Sequence, residues 1–399
     1  MRSTSVPGTP GVPGAETFHA AWIDDLPVYL CGVLGAVSFW STALAEITAV
    51  LILAAAAARA LISLRAGVPP EFCRTRPSRI AFLLLAVYAP ATVVSVLLAQ
   101  SPFLRNPSIL WHPLLLPALM CAAVRPSTLR RAGVIFIAGG AASSVVTLAV
   151  NFGWSSAAGP FTFTGLTTYA DLLVLAGTAG LSLPGALPPV PFRSWPLAAS
   201  ALVLPAIAWT GERAPVVALA GVGTVRAAGG GRRLFVAWLC IVAACVAIIP
   251  RVFTEKMDWL MSGRQIDRYV VWEEGLRLAP AAPLFGYGPG SFARVLPLDA
   301  WGKFMQRPPA SWHNDLLETW LDSGPLAAVA LGGLLVAGAV QALRGLSASG
   351  RGRRRSAAGE AGLLFMILAL FGAVGSVVTT SVLGMAFWVL LGLTLAPPA

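Results

Sequence analysis

Four side chains in the polar stretches of this sequence could do chemistry together: Arg213, Arg264, Arg268 and His313. A guanidinium is a planar fork that donates to two phosphate oxygens at once and stays charged at any relevant pH. Imidazole titrates near neutrality and can take a proton from a hydroxyl. Three cations and a base suit a displacement with a diphosphate leaving group, in which the base activates the attacking hydroxyl and the arginines hold the charge that builds on the departing group. Each residue also has an ordinary reading, as a membrane-surface anchor for an arginine or a structural role for a lone histidine. Glu273, Glu274 and Arg277 read as a solvated face, with one of the two carboxylates as an alternative base. The three histidines, His19, His112 and His313, are far apart and the outer loops contain no Asp-x-Asp pair, so the expectation is chemistry without a metal and without a cofactor.

The elements that must position these residues are read from composition. Of 399 residues, 57% are hydrophobic and 11% charged, against about 25% charged in a typical soluble domain. Runs such as 43–63, 80–99 and 234–249 are long enough as helices to cross much of a hydrocarbon layer about 30 Å thick. About a dozen such runs imply an all-α, polytopic bundle whose main partner is the lipid bilayer. Spans are expected near 26–42, 43–64, 79–99, 108–124, 131–150, 166–183, 195–209, 213–228, 233–250, 325–344, 360–377 and 379–396. Pro113, Pro117, Pro184 and Pro205 can shorten or kink their helices.

A net charge of +11 could signal a nucleic-acid partner, but the basic residues sit in alternate short loops, at 65–79, 125–131, 193, 226–233 and 344–355. That alternation is the positive-inside pattern. It excludes a nucleic-acid partner and puts both termini in the cytoplasm of a cell bounded by this membrane. Residues 1–25, rich in Pro, Gly and Thr and without a signal-peptide core, read as a disordered cytoplasmic tail. Residues 26–399 read as one membrane domain. The cysteines lie in apolar runs or an inner loop, so no disulfide is expected.

The longest polar stretch, 251–323, falls outside the membrane. Within it 266–278 has helical periodicity, and a second helix is expected from His313 to Leu321 with Leu316, Leu317 and Trp320 on its apolar face. Between them Gly286, Gly288 and Gly290 form a glycine-rich segment with neither the preceding strand nor the following helix of a nucleotide fold. A tight turn with Phe292 packed beneath is the better account, and its backbone N–H groups could still meet a phosphate.

The order of Arg268 and Trp272, then Gly286, Gly288, Gly290 and Phe292, then His313, Asn314, Leu317 and Gly324 resembles the large periplasmic loop of the O-antigen ligase and polymerase family. Thr210, Gly211, Glu212, Arg213 and Ala214 look like the family's small-residue and arginine turn, and 161–171 is weakly similar to another of its regions. The family often carries Ser-Gly-Arg before the Trp segment. Here Ser262, Gly263 and Arg264 precede Arg268, so either arginine can inherit that role.

This resemblance implies a GT-C-like helical fold in the bacterial inner membrane. It also implies an inverting glycosyltransferase that moves a glycan from an undecaprenyl-diphosphate carrier onto the hydroxyl of a glycan or lipid-linked glycan acceptor. His313, Arg268 and Arg213 would be catalytic, and Arg264, Trp272, Gly288, Gly290 and Asn314 would bind substrate. Ligase and polymerase share these motifs. A transporter for a lipid-linked sugar or small anion is the competing class, with Glu46 and Arg59 as its intramembrane charges, and a non-catalytic assembly partner is the third.

Overall fold

A backbone N–H or C=O in hydrocarbon has no water to bond, and a helix satisfies both within itself. The computed structural model follows that rule across the residues it describes, 15–65, 75–99, 110–122, 124–153, 166–182, 195–210, 212–229, 235–236, 238–240, 242–243, 267–296, 311–347 and 357–396. Helices α1 (Ala15–Ser38), α2 (Thr42–Arg65) and α3 (Arg76–Leu98) come first. A 3-10 turn, His112–Leu114, leads into α4 (Leu115–Met120), and then follow α5 (Pro126–Gly153), α6 (Leu166–Ser182), α7 (Trp195–Thr210) and α8 (Arg213–Gly229). The polar stretch contributes α9 (Asp267–Leu278), α10 (Phe292–Val295) and α11 (Asp315–Ser323). The chain then runs through α12 (Pro325–Ser347), α13 (Ala357–Val374) and α14 (Ser381–Leu395).

Four of these helices are long and apolar enough to cross a membrane: α2, α3, α5 over Pro126–Val150, and α12. Asp25–Ser38, Ala198–Thr210, Pro215–Thr224, Gly359–Val374 and Ser381–Leu395 are shorter apolar helices. The helix expected over 108–124 is instead a 3-10 turn and six residues of α4. Pro113 and Pro117 explain the shortening, because proline is tolerated at a helix start but deprives a longer helix of donors. Helix α1 begins at Ala15, so residues 15–25 are helical where a disordered tail was expected. Most of the helix expected over 233–250 lies outside the described residues.

Packing follows the logic of a bundle in lipid, where close approach of small residues replaces water exclusion. On α2 the buried residues Ala45, Ala49, Ile52 and Ala56 recur at helical spacing, while Leu44, Ile47 and Leu51 are exposed although equally apolar. Helices α1 and α5 run side by side in the same direction. A Cβ at Gly32 would fall 2.6 Å from the Ala132 Cα, and one at Gly139 2.6 Å from the Ala36 Cα.

Hydrogen bonds sort the helix ends into two levels. At one level Arg125, just before α5, donates to Asp25 within α1, and Ser78 near the start of α3 donates to the Leu395 carbonyl at the end of α14. At the other, Ser95 donates to the Asp322 carbonyl, Asn314 to the Ala373 carbonyl and Thr167 to Glu212. This second level gathers the end of α3, the start of α6, the α7–α8 turn, α11 and the α13–α14 loop, and every described candidate residue lies there.

Candidate active site at the α11 level

The polar stretch builds its own small core on top of the bundle. Val270, Val271, Phe292, Trp312, Leu317 and Leu321 are buried together. Trp312 meets Phe292 edge to face at 4.9 Å and donates through Nε1 to Ser291 Oγ at 3.1 Å. Phe292 thus packs beneath the glycine turn as expected. The turn takes positive φ at Gly286, Gly288 and Gly290, a region open to glycine and costly for residues with a Cβ.

The turn is organised around Asp322. Gly290 N–H and Ser291 N–H donate to the two Asp322 carboxylate oxygens at 3.0 and 3.1 Å, and Ser291 Oγ adds a third bond at 2.5 Å. Gly288 N–H donates to the Asp322 carbonyl and Tyr287 N–H to that of Leu321. The Gly288 and Gly290 donors, expected to be available to a phosphate, are therefore engaged within the protein.

Helix α11 differs from expectation in which face it buries. Leu317 and Leu321 are buried, but Leu316 and Trp320 are exposed at 41% and 37%. Asp315, Glu318 and Asp322, at i, i+3 and i+7, are all buried instead. Asp315 Oδ1 accepts from the Val377 and Val378 N–H groups at 2.9 and 3.0 Å. Glu318 accepts from Ser376 Oγ at 2.6 Å and Thr379 Oγ1 at 3.0 Å. One acidic face clamps two loops, the α13–α14 connection and the glycine turn. On α9, Glu274 is likewise buried and pairs with Arg277 at 2.8 Å, so it is not part of the solvated face expected for it.

His313 stands just before α11, whose N-cap is Asn314: its Oδ1 accepts from Leu317 N–H at 2.9 Å. Its Nδ2 donates to the Ala373 carbonyl at 2.9 Å. His313 has φ +52°, the only positive φ at a non-glycine among the described residues. That backbone region costs an L-residue about 1–2 kcal/mol and persists only where surroundings impose it. Trp272 contributes to that imposition, donating from Nε1 to the His313 carbonyl at 3.2 Å. Burial lowers the His313 pKa from its ordinary value, and the charge of Arg268 lowers it further, so the imidazole is held neutral and able to accept a proton.

Arg268 is exposed on the first turn of α9 and lies in electrostatic range of both His313 and Asp171. Asp171 is buried on α6, one turn beyond Thr167. Thr167 Oγ1 in turn donates to Glu212 Oε1 at 2.8 Å, directly before Arg213, the first residue of α8. The structure thus brings Arg268, His313, Trp272 and Asn314 to one place and sets the backbone of Arg213 beside it through the Thr167–Glu212 contact. The Arg213 side chain and Arg264 lie outside the described residues. Sequence reasoning missed Asp171 as a site residue, although it is the one charged residue of α6, in a run expected to span the membrane, where a lone carboxylate would have been a functional signal. The spacing of Asp315, Glu318 and Asp322 was a second overlooked signal, since it places three acids on one helix face. Among the described residues no group of three His, Cys, Asp or Glu side chains is placed to hold a metal ion.

Residues 198–332, about a third of the chain, match the family model described as O-antigen ligase. No curated protein sequence matches the chain at a significant level. The matched region holds most of α7, all of α8, α9, the glycine turn and α11, and over these residues the chain is similar to the family described as O-antigen ligase.

Proposed function

We propose that this protein is an inverting, metal-independent glycosyltransferase that moves a glycan from undecaprenyl diphosphate onto an acceptor hydroxyl at the outer face of the bacterial inner membrane. The observation that carries the reading is His313, kept neutral by burial and by the Arg268 charge on a backbone conformation that its neighbours impose. A neutral imidazole beside a fixed cation can take the acceptor proton while the cation meets the diphosphate. The acceptor oxygen attacks the anomeric carbon, the bond to the diphosphate breaks with its electron pair leaving on the diphosphate, and the anomeric configuration inverts. Arg268, with Arg213 and Arg264, holds that charge. Trp272 and Asn314 fix His313, and Gly288 and Gly290 shape the turn against α11. A bundle of about twelve crossings of GT-C type, with both termini cytoplasmic, fits the two levels of helix ends. The acceptor, a glycan for a ligase or a lipid-linked glycan for a polymerase, completes the reading.

A transport reading draws support from one contact. Glu46 Oε2 lies 3.4 Å from Nε2 of the fully buried His112, an ionisable pair inside the bundle. One experiment separates the two readings. Purified protein is given lipid-diphosphate glycans and a panel of acceptors, with and without chelator, and Arg213→Ala, Arg268→Ala, Glu46→Gln and Arg59→Gln variants are compared. The transferase reading expects chelator-resistant product that is lost in the Arg213 and Arg268 variants. Product-free wild type whose vesicles accumulate substrate only with Glu46 and Arg59 intact would move the protein to the transport class.

A further inference from the structure

A line of polar contacts leads from His313 into the protein. Ser311 Oγ lies 3.5 Å from His313 Nδ1, and Ser376 Oγ lies 2.8 Å from Ser311 Oγ and 2.6 Å from Glu318 Oε2. Thr379 Oγ1 donates to the other carboxylate oxygen at 3.0 Å. Ser376 and Thr379 come from the α13–α14 loop, beyond the region matched by the family model. Asp315 holds that loop in register by accepting from Val377 and Val378.

We propose that Glu318, acting through Ser376 and Ser311, sets the tautomer of His313 and receives the proton that His313 takes from the acceptor. The proposal rests on the transferase reading above. Counting donors gives the line its direction. An ionised carboxylate only accepts, so the Ser376 proton points to Glu318. Ser376 Oγ then accepts from the Ser311 hydroxyl, and Ser311 Oγ accepts from His313 Nδ1–H. The imidazole lone pair is left on Nε2, the nitrogen that faces away from the line.

The transfer step balances along this route. The acceptor proton goes to Nε2 as its oxygen bonds the anomeric carbon and the diphosphate departs with the electron pair. The Nδ1 proton moves to Ser311, the Ser311 proton to Ser376 and the Ser376 proton to Glu318 Oε2. His313 ends neutral, Glu318 ends as the carboxylic acid, and return of the protons resets the line. His313, Ser311, Ser376 and Glu318 thus divide the work: His313 is the catalytic base, and the other three are positioning residues.

Electrostatics favour that direction of movement. An imidazolium at 313 is opposed by burial and by Arg268. At Glu318, burial and the neighbouring Asp322 carboxylate oppose the anion and push the carboxyl up to about 8. Asp315 on the same helix and Tyr88 of α3 also face this acidic row. The proton therefore leaves a position that resists positive charge for one that resists negative charge. Only ionised Glu318 orients the line correctly, so transfer should rise as pH climbs toward about 8.

The test uses the full chain with nitrogen-labelled histidine, reading ring-nitrogen spectra alongside transfer kinetics across pH. His313 is assigned by the signal lost in His313→Ala, and thermal melting confirms that each variant folds. Above pH 8 the wild type should show the Nδ1–H tautomer. In Glu318→Gln, Thr379 keeps the amide oxygen, the amide nitrogen donates to Ser376, and the line reverses. That variant should show the Nε2–H tautomer, a kcat lower by about 100-fold, an unchanged donor KM and no rising limb near pH 8. Ser376→Ala and Ser311→Ala should remove the tautomer bias, and Ser376→Thr should restore it. Folded Glu318→Gln and Ser376→Ala variants that keep the wild-type tautomer and pH profile, while His313→Ala loses transfer, would overturn the relay and leave the transferase intact. If no transfer is seen even in wild type, the transferase reading fails, and with it the proton route. A wild-type Nε2–H tautomer overturns the line itself.

Discussion

Helices α11 and α12 are separated only by Gly324, and they are solvated by different media. Helix α11 has nine residues, buries three carboxylates and leaves Leu316 and Trp320 exposed. Helix α12 has 23 residues, packs Ala327, Leu331 and Leu334 inward and turns Leu326, Val329 and Val336 outward. In α12 the exposed face is apolar because lipid surrounds it, and burial selects for small or closely fitting residues. In α11 the buried face is acidic because its partners are loop N–H and hydroxyl groups that need acceptors. The site residues belong to the α11 regime, where backbone donors and carboxylates fix geometry, and the spanning helices supply the platform.

The sharpest way to break this contrast is at the junction. Gly324 has φ +88° and passes so close to the preceding loop that a Cβ would lie 2.0 Å from the Leu284 carbonyl oxygen. Gly324→Ala combines a backbone penalty with a clash against backbone, at a cost of more than about 4 kcal/mol. We expect loss of monodisperse protein on size-exclusion chromatography. Next in size is a charge on the lipid face: Val336→Asp should cost about 3 kcal/mol in insertion and reduce membrane-integrated yield, whereas Val336→Leu should leave it unchanged. A truncation on the acidic face comes third. Asp322→Ala strands the Gly290 and Ser291 donors, costing about 2 kcal/mol, and should lower the melting temperature and speed hydrogen exchange across 286–296. The smallest effect is expected at Arg277, whose side chain is 63% exposed in its pair with Glu274. Arg277→Ala should change stability by less than about 1 kcal/mol, measured by the same melting assay.

The same contrast explains what was legible in the sequence. Helices set by apolar runs and turn residues stand close to where they were expected: α7 ends at Thr210, α8 begins at Arg213, and α12 begins at Pro325. The glycine turn and the packing of Phe292 were also readable, because positive φ and a buried ring leave local signatures in residue type. The spacing of Asp315, Glu318 and Asp322 marked an acidic face on α11, but the burial of that face was not readable, since its cause is the α13–α14 loop, some 60 residues away along the chain. Periodicity favoured Leu316 and Trp320 because it weighs apolar residues and cannot see distant donors. Helix α4 was overextended for a related reason: apolar content counted for more than the two prolines. Asp171 was overlooked because Arg268 and Glu212, whose charges act on it, lie far from it in the sequence and approach it only in the folded chain.

Single-turnover transfer tests the central claim most directly. The purified protein is preloaded with a lipid-diphosphate glycan, mixed with acceptor in the presence of chelator, and compared with His313→Ala for both rate and donor affinity. The account predicts a rate lower by about 10²–10⁴-fold in the variant with donor binding preserved. An unchanged rate in a folded His313→Ala protein would contradict it.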